Sequence, residues 1–274
     1  MCFWVLLGYC ENTTWLKVRN RASSSVKQKE KSISILVSGR EIDDAATVAE
    51  EFNIYFLKKI SDLRSHVRDE IKENPTERLR SSLKDKKLDF HLSTVSESHI
   101  KKIITKLSNK RTLGRDGIGM DVVKAGGNTL IAPLTFIVNT SIRDCTFPNA
   151  WKHSRVIPLL KKGSPKELSN YRPVSILPAT SKILEEVVRK QVSNYFEKNG
   201  LLPENQHGFR PSRSTTTAIL ALQNELINTK QNKEHSATTL WDLSAAFDTL
   251  DRGIFLEKLE AYGFGMNGVA WFRS

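Results

Sequence analysis

The chain is poor in the features that announce many protein classes. It has three cysteines in 274 residues, Cys2, Cys10 and Cys145, too few and too scattered for a disulfide framework or a thiolate zinc site. That usage fits a reducing compartment. No apolar run is long enough to span a bilayer. Met1 to Tyr9 is apolar but lacks a basic leader, and polar residues close it after about ten positions, so no secretory signal is expected. The six histidines (His66, His91, His99, His153, His207 and His235) are dispersed, and they form no His/Asp cluster of the kind a metal-dependent nuclease uses. No internal repeat is visible. The expectation is an intracellular protein, nuclear or cytoplasmic, with no membrane partner and no small-molecule cofactor.

What the chain does have is positive charge. The formal net charge is +12, which favours polyanionic partners over acidic small molecules. Its distribution says more than its size. Between Trp151 and Lys190 stand nine Lys/Arg (Lys152, Arg155, Lys161, Lys162, Lys166, Arg172, Lys182, Arg189, Lys190) against Glu167, Glu185 and Glu186, half of the whole excess in forty residues. On charge alone this is equally a solvated basic face.

Periodicity and punctuation then divide the chain. The first forty residues are mixed and polar, with Ser23-Ser24-Ser25 followed by a basic run, and poor order is expected there. Asp43 and Asp44 precede an amphipathic helix with the apolar face Val48, Phe52, Tyr55, Phe56, Ile60, Leu63 and Val67. Asn74-Pro75 ends it, and a charged stretch to Asp89 reads as linker. Thr94-Val95-Ser96-Glu97 has the form of a capping box, followed by Ile100, Ile103, Ile104 and Leu107. A loop holds Gly114, Gly117 and Gly119. A helix is expected from about Thr129 to Arg143, with Leu130, Leu134, Ile137 and Val138 inward and Pro133 tolerated only in the first turn. Arg155–Leu160 and Asn170–Leu177 read as two strands of a hairpin. Helices from about Ser181 to Lys198 (stopped by Gly200), Thr216 to Thr229 and Arg252 to Tyr262 follow, with a strand at Ala237–Leu243 before the last. The class is α/β or α+β, not a bundle and not a sandwich.

Three blocks carry chemistry. In Thr238 to Asp248 a β-leaning run ends in Asp242, small residues follow, and then Phe247 and Asp248. Metal-assisted phosphoryl transfer needs carboxylates on a rigid support, because hard Mg²⁺ takes oxygen ligands; a structural turn or helix cap fits the same pattern. Lys161-Lys162-Gly163 and Asn170-Tyr171-Arg172-Pro173-Val174-Ser175 place cations on both arms of the hairpin. A guanidinium there can grip phosphate by two hydrogen bonds, while the lysines act as point charges. Gln206-His207-Gly208-Phe209-Arg210-Pro211-Ser212-Arg213 sets two arginines and an aromatic in a loop, which is also an ordinary lead-in to a helix capped by Ser214 or Thr215.

These blocks, in this order and at these separations, resemble the reverse transcriptases of non-LTR retrotransposons, in the group that includes jockey-like elements. Lys110 to Gly119, Phe147 to Lys152 and Ser181 to Glu185 agree, and the resemblance runs from about Thr94 to Trp271. Ser38 to Phe56 is more loosely similar to the connector upstream of such polymerases. The resemblance implies the fingers and first palm strand of a right-hand polymerase, with a helix-rich N-terminal region, an incomplete palm and no thumb. It divides the chain into a partly disordered connector at 1–90 with a helix near 45–70, an N-terminal extension and fingers at 91–236, and the start of the palm at 237–274. It implies Asp242 as a catalytic Mg²⁺ ligand, with the Leu243 carbonyl as a further ligand. It sets Phe247 beneath the incoming sugar, Lys161, Lys162 and Arg172 towards triphosphate and template, and Arg210 near the template path. The implied partners are an RNA template, a DNA primer and deoxynucleoside triphosphates. Arg115, Cys145, His207 and Trp241 depart from the family's usual residues.

No Tyr/Phe-x-Asp-Asp block occurs up to Ser274. Two-metal catalysis clamps the reacting oxygens between ions about 3.5–4 Å apart, and one Asp cannot hold that pair. The expectation is therefore a chain inactive alone, with Phe255, Leu259 and Phe264 uncovered, and either aggregation or a disordered tail beyond about Ser236. The alternative is a non-catalytic, basic nucleic-acid-binding protein derived from such an element.

Overall fold

A computed structural model describes residues 33–70, 74–109, 112–242, 246 and 249–274, with 66–70 described by their backbone only. The chain forms two compact units, one of Met1–Val187 with Phe247–Ser274 and the other of Val188–Ala246. The described elements are mostly helical with two small antiparallel sheets, which fits a mixed α/β class.

In the first unit, strands β1 (Ile35–Val37) and β2 (Arg40–Ile42) pair as a hairpin turned by Ser38 and Gly39, whose φ angles of 50° and 80° suit a two-residue turn. The polar composition hid this element, and the expectation of poor order over the first forty residues fails at 35–40. Helix α1 (Ala45–Glu70) follows as expected. Asp44 caps it, its Oδ2 accepting from the Thr47 amide at 2.9 Å. Val48, Phe52 and Phe56 face a core shared with Ile35 and Tyr171. The Phe52 and Tyr171 rings meet edge to face with centroids 4.9 Å apart.

The expected linker holds a short helix, α2 (Glu77–Leu83). Buried Thr76 leads into it and donates to Glu257 Oε2 at 3.1 Å. Helix α3 (Glu97–Lys106) starts later than a capping box on Thr94 requires, because Ser96 is the cap that accepts from the His99 amide. Ile100, Ile103 and Ile104 are buried among α3, α4 (Met120–Ala125) and α5 (Gly127–Arg143). Asn139 ties α5 to the loop before α3 by accepting from the Val95 amide at 2.8 Å and donating to its carbonyl at 2.9 Å. Pro133 sits in the second turn of α5, beyond the position expected for it, and the helix runs on through it. Ile137 is exposed rather than inward, whereas Ile131, Leu134, Val138 and Ile142 are buried. A short α6 (Asn149–Lys152) buries Trp151 and leads to β3 (Arg155–Leu160), which pairs with β4 (Tyr171–Ile176). Helix α7 (Ser181–Lys198) follows.

The C-terminal helices overturn the expectation of an uncovered tail. Helices α9 (Arg252–Ala261) and α10 (Met266–Arg273) pack on each other, and α9 packs on α2. Leu259, Phe264, Trp271 and Phe272 are buried. Phe264 stacks obliquely on Phe90 at 4.2 Å, and the Phe90 amide donates to the Gly263 carbonyl at 2.9 Å.

In the second unit, Gly200, in the left-handed region with φ +56°, stops α7, and a loop leads to α8 (Thr215–Gln231). Ser214 caps α8 in a reciprocal box with Thr217. None of the α8 residues is buried; Ile219, Leu220, Leu222, Leu226 and Ile227 are exposed. The strand expected at 237–243 is not formed over 237–242, where Leu240 and Trp241 are both 88 % exposed. A β-leaning run needs a neighbouring strand to become a ladder, and none pairs with it among the described residues. No described helix is long and apolar enough to cross a membrane.

Candidate nucleic-acid interface

The β3–β4 hairpin gives the basic region its geometry. The register pairs Leu159 with Arg172 and Leu160 with Tyr171, and the Lys161 amide extends the ladder by donating to the Asn170 carbonyl at 2.8 Å. Because directly opposed residues share a face and alternate residues return to it, Lys161 joins Arg155, Ile157 and Leu159 on the face that carries Arg172 and Val174. Lys161, Lys162 and Arg172 are exposed. Ile157, Leu159 and Val174 beside them are also open to solvent. The result is an apolar strip with cations at its turn end and half-buried Arg155 at the other. Arg155 was not among the expected site residues, although the alternation Arg155, Ile157, Leu159, Lys161 is legible in the sequence.

The turn that presents Lys161 and Lys162 is built rather than loose. Gly163 has φ +79°, and a Cβ there would lie 2.6 Å from Asn170 Nδ2, so both the backbone and the space call for glycine. Asn170 Nδ2 donates to the Ser164 carbonyl at 3.0 Å and to Glu167 Oε2 at 3.1 Å. On the opposite face from Arg172, Tyr171 is buried, and its hydroxyl donates to the Pro165 carbonyl at 2.7 Å. Burial raises its phenol pKa. The Leu36 amide donates to the Lys166 carbonyl at 2.7 Å, and Lys166 Nζ pairs with Glu41 at 2.9 Å, a hydrogen bond that holds the Glu41 carboxyl below its ordinary pKa. The β1–β2 hairpin, missed in the sequence, thus braces the basic turn.

The other expected site residues belong to different places. Arg210 lies in the second unit, in the loop before α8, where its guanidinium is held by Glu197. Asp242 is exposed in the same unit, in a stretch with neither helix nor strand. Leu243 and Phe247 lie outside the described residues. Among the described residues no group of three or more His, Cys, Asp or Glu is placed to hold a metal ion. A two-ion site needs several carboxylate oxygens converging on a rigid support. Asp242, exposed and outside any strand, does not by itself meet that requirement.

Comparison with known proteins puts a family around this geometry. Residues 159–274, from the end of β3 to the C-terminus, match the family described as reverse transcriptase (RNA-dependent DNA polymerase). The chain is 26 % identical over 205 residues to the probable RNA-directed DNA polymerase from transposon X-element of Drosophila melanogaster, covering 74 % of this chain and 21 % of that protein. It is 28 % identical over 162 residues to the RNA-directed DNA polymerase from mobile element jockey of the same organism, covering 59 % of this chain and 18 % of that one. A third relative, the probable RNA-directed DNA polymerase from transposon BS, is 26 % identical over 174 residues, or 63 % of this chain and 19 % of that protein. The chain thus spans about a fifth of the length of these relatives. Residues 159–274 thus match the reverse transcriptase family, and over 59–74 % of its length the chain is similar to RNA-directed DNA polymerases of mobile elements, jockey among them.

Proposed function

We propose that this chain supplies the cationic fingers and the first metal-binding acid of an RNA-directed DNA polymerase, the whole protein adding deoxynucleotides to a DNA primer on an RNA template. The observation that carries the reading is the register of β3 and β4, which sets Lys161 and Arg172 on one open face beside Lys162 at the start of the family match. A rigid guanidinium and two ammonium groups so placed suit phosphate oxygens of a triphosphate or a template backbone. On the same reading Asp242 is a ligand of catalytic Mg²⁺ with the Leu243 carbonyl, and Phe247 lies beneath the incoming sugar. Residues 1–90 act as connector, 91–236 as N-terminal extension and fingers, and 237–274 as the start of the palm.

A second reading, nucleic-acid binding without catalysis, is favoured by one contrast. The basic hairpin is braced on several sides, whereas Asp242 is exposed outside any strand. Both readings require binding, which is therefore the first test. Neutralised phosphates release counterions, so affinity of residues 1–274 for RNA and single-stranded DNA should fall steeply with salt and show little base preference. Lys161→Ala, Lys162→Ala and Arg172→Ala together should lower the log–log salt slope by roughly two to three. Removing Lys27, Lys29 and Lys31 is the control; an equal loss there would leave the hairpin no special role. Primer extension with Mg²⁺ or Mn²⁺ is the second test. On either, one carboxylate block is too little for residues 1–274 to extend a primer. Dideoxy-sensitive extension abolished by Asp242→Ala would show that Asp242 has partners within this stretch.

A further inference from the structure

Arg155 opens β3, opposite Ile176 and at the far end of the strand from Lys161. It is half-buried, and its Nε is enclosed with no hydrogen-bond partner. Enclosed donors are normally paired, because an unmet one forfeits its hydration. Cations that brace this fold do have acceptors: Lys166 has Glu41, Arg80 has Glu260 and Arg210 has Glu197. Among the described residues, the side chains of Arg155, Lys161, Lys162 and Arg172 have neither a hydrogen bond nor an ion pair. The hairpin therefore holds unanswered positive charge at both of its ends.

Nothing on the two strands offsets that charge, since Arg155–Leu160 and Tyr171–Ile176 contain no Asp or Glu. Between the two ends lie Ile157, Leu159 and Val174, which are 38 %, 44 % and 38 % exposed. At about 3.3 Å per residue, the backbones of Arg155 and Lys161 stand roughly 20 Å apart. Three phosphates joined through shared oxygens are too short to meet both ends. A polynucleotide rising about 3.4 Å per nucleotide when stacked covers the distance with about six nucleotides. The apolar middle favours a single strand, whose unpaired bases can turn their faces to the protein, over a duplex, which keeps them stacked inside.

We propose that the open face of β3 and β4 is a track for a single strand of nucleic acid. Arg155 takes a backbone phosphate at the end away from Lys161, Lys162 and Arg172, and bases lie on Ile157, Leu159 and Val174 between them. The inference rests on the nucleic-acid reading above and deepens it, because it makes a polynucleotide, not a nucleoside triphosphate, the occupant of the whole face. The probes are fluorescein-labelled oligouridylates of about three, six and nine nucleotides, chosen around the expected span, and an RNA duplex of the longest length. Anisotropy with residues 1–274 across a salt series reads affinity and slope. Parent affinity should rise more from three to six nucleotides than from six to nine. Arg155→Met keeps the apolar stem and removes the charge. It should lower the log–log salt slope by about one on the two longer probes and leave the shortest unchanged, which also shows that the variant folds. Arg155→Lys should keep most of the slope. Ile157→Thr with Val174→Thr keeps both positions β-branched. That pair should weaken single-strand binding at least about fourfold, the worth of one buried methylene, with the slope and the duplex affinity unchanged.

A slope lowered equally at every length makes Arg155 one charge in a diffuse field and overturns the track. A slope unmoved by Arg155→Met on the longer probes overturns its phosphate contact. A duplex that binds the parent as tightly as the single strand, or a threonine pair without effect, overturns the contact with bases. The alanine triple at Lys161, Lys162 and Arg172, measured alongside, reports on the parent reading alone. A slope unmoved by that triple at every length rejects the hairpin as a phosphate site, whereas a slope lowered by the triple and not by Arg155→Met rejects only the track.

Discussion

Trp271 donates its indole N–H to Ser141 Oγ at 3.0 Å, across 130 residues of sequence, with both side chains buried. The Trp271 ring also meets Phe147 edge to face at 5.8 Å, and the Phe147 amide donates to Ser274 Oγ at 2.8 Å. The last turn of the chain is therefore a wedge between α5 and the segment before α6. Trp271→Ala should cost about 3–5 kcal/mol in urea unfolding, as large aromatic truncations in cores do. Trp271→Phe keeps most of the burial but removes the donor, and about 1–2 kcal/mol is expected for it. Amides of 252–272 should exchange slowly. If Trp271→Ala unfolds within about 0.5 kcal/mol of the parent, in the range of ordinary surface changes, the last turn does not hold these two segments together.

Gly263 makes the turn between α9 and α10 and leaves no room for a side chain. Its φ is +81°, and a Cβ would lie 2.5 Å from the Leu88 carbonyl oxygen. Gly117 has a similar φ of +70° but nothing within 4 Å. Gly117→Ala should therefore show backbone strain alone, about 1–2 kcal/mol, whereas Gly263→Ala adds a clash with backbone and should cost clearly more. Equal unfolding midpoints for the two variants would mean that the Leu88 contact is not made.

Elements whose signal is local were legible in the sequence. The apolar spacing of Val48, Phe52 and Phe56 marked α1, and the turn Lys161 to Pro165 between two β-leaning runs marked the hairpin to within a residue. The candidate cations on that hairpin came with it. What failed depends on partners distant in sequence. Ile35 and Tyr171 share one core, so the β1–β2 hairpin draws its burial from residues more than a hundred positions away. Phe264 is covered by Phe90, far upstream of its own helices. The strand at 237–243 failed for the converse reason: Leu240 and Trp241 have β-leaning neighbours, but no described strand accepts their backbone. Arg210 was found by its motif, and its bond to Glu197, thirteen residues earlier, needed the turn at Gly200 to be seen.

The Arg210–Glu197 pair sets an acid limit on the loop. Hydrogen bonding to Arg210 holds the Glu197 carboxyl below its ordinary value of 4.5. A carboxylate with a depressed folded pKa binds protons more readily when unfolded, so its stabilisation is complete above the unfolded pKa and fades as pH falls through the folded one. The difference in melting temperature between the parent and Glu197→Gln should be level from pH 7 to about 5 and shrink below about pH 4. A difference that persists undiminished at the lowest pH would show that the carboxylate charge is not what holds the loop.

Tyr171 and Arg172 are neighbours with opposite duties, and that separation is itself testable. Tyr171 points into the core with Phe52 and holds the Pro165 carbonyl, while Arg172 stands on the open face. Tyr171→Phe removes one hydrogen bond and should cost about 0.5–1.5 kcal/mol. RNA affinity and salt slope should stay as they were, because the ring still seats the strand. Tyr171→Ala removes the ring as well, which should cost about 3–5 kcal/mol and free the turn that presents Lys161 and Lys162. Its RNA affinity should then fall, although no charge has been removed, and the fall should be larger at low temperature than the few unfolded molecules explain. Arg172→Ala should do the reverse, leaving the melting temperature within a degree or two and lowering the salt slope by about one. If Tyr171→Ala binds RNA as the parent does while folded, the rigid turn contributes nothing to binding, and the lysines act as mobile charges.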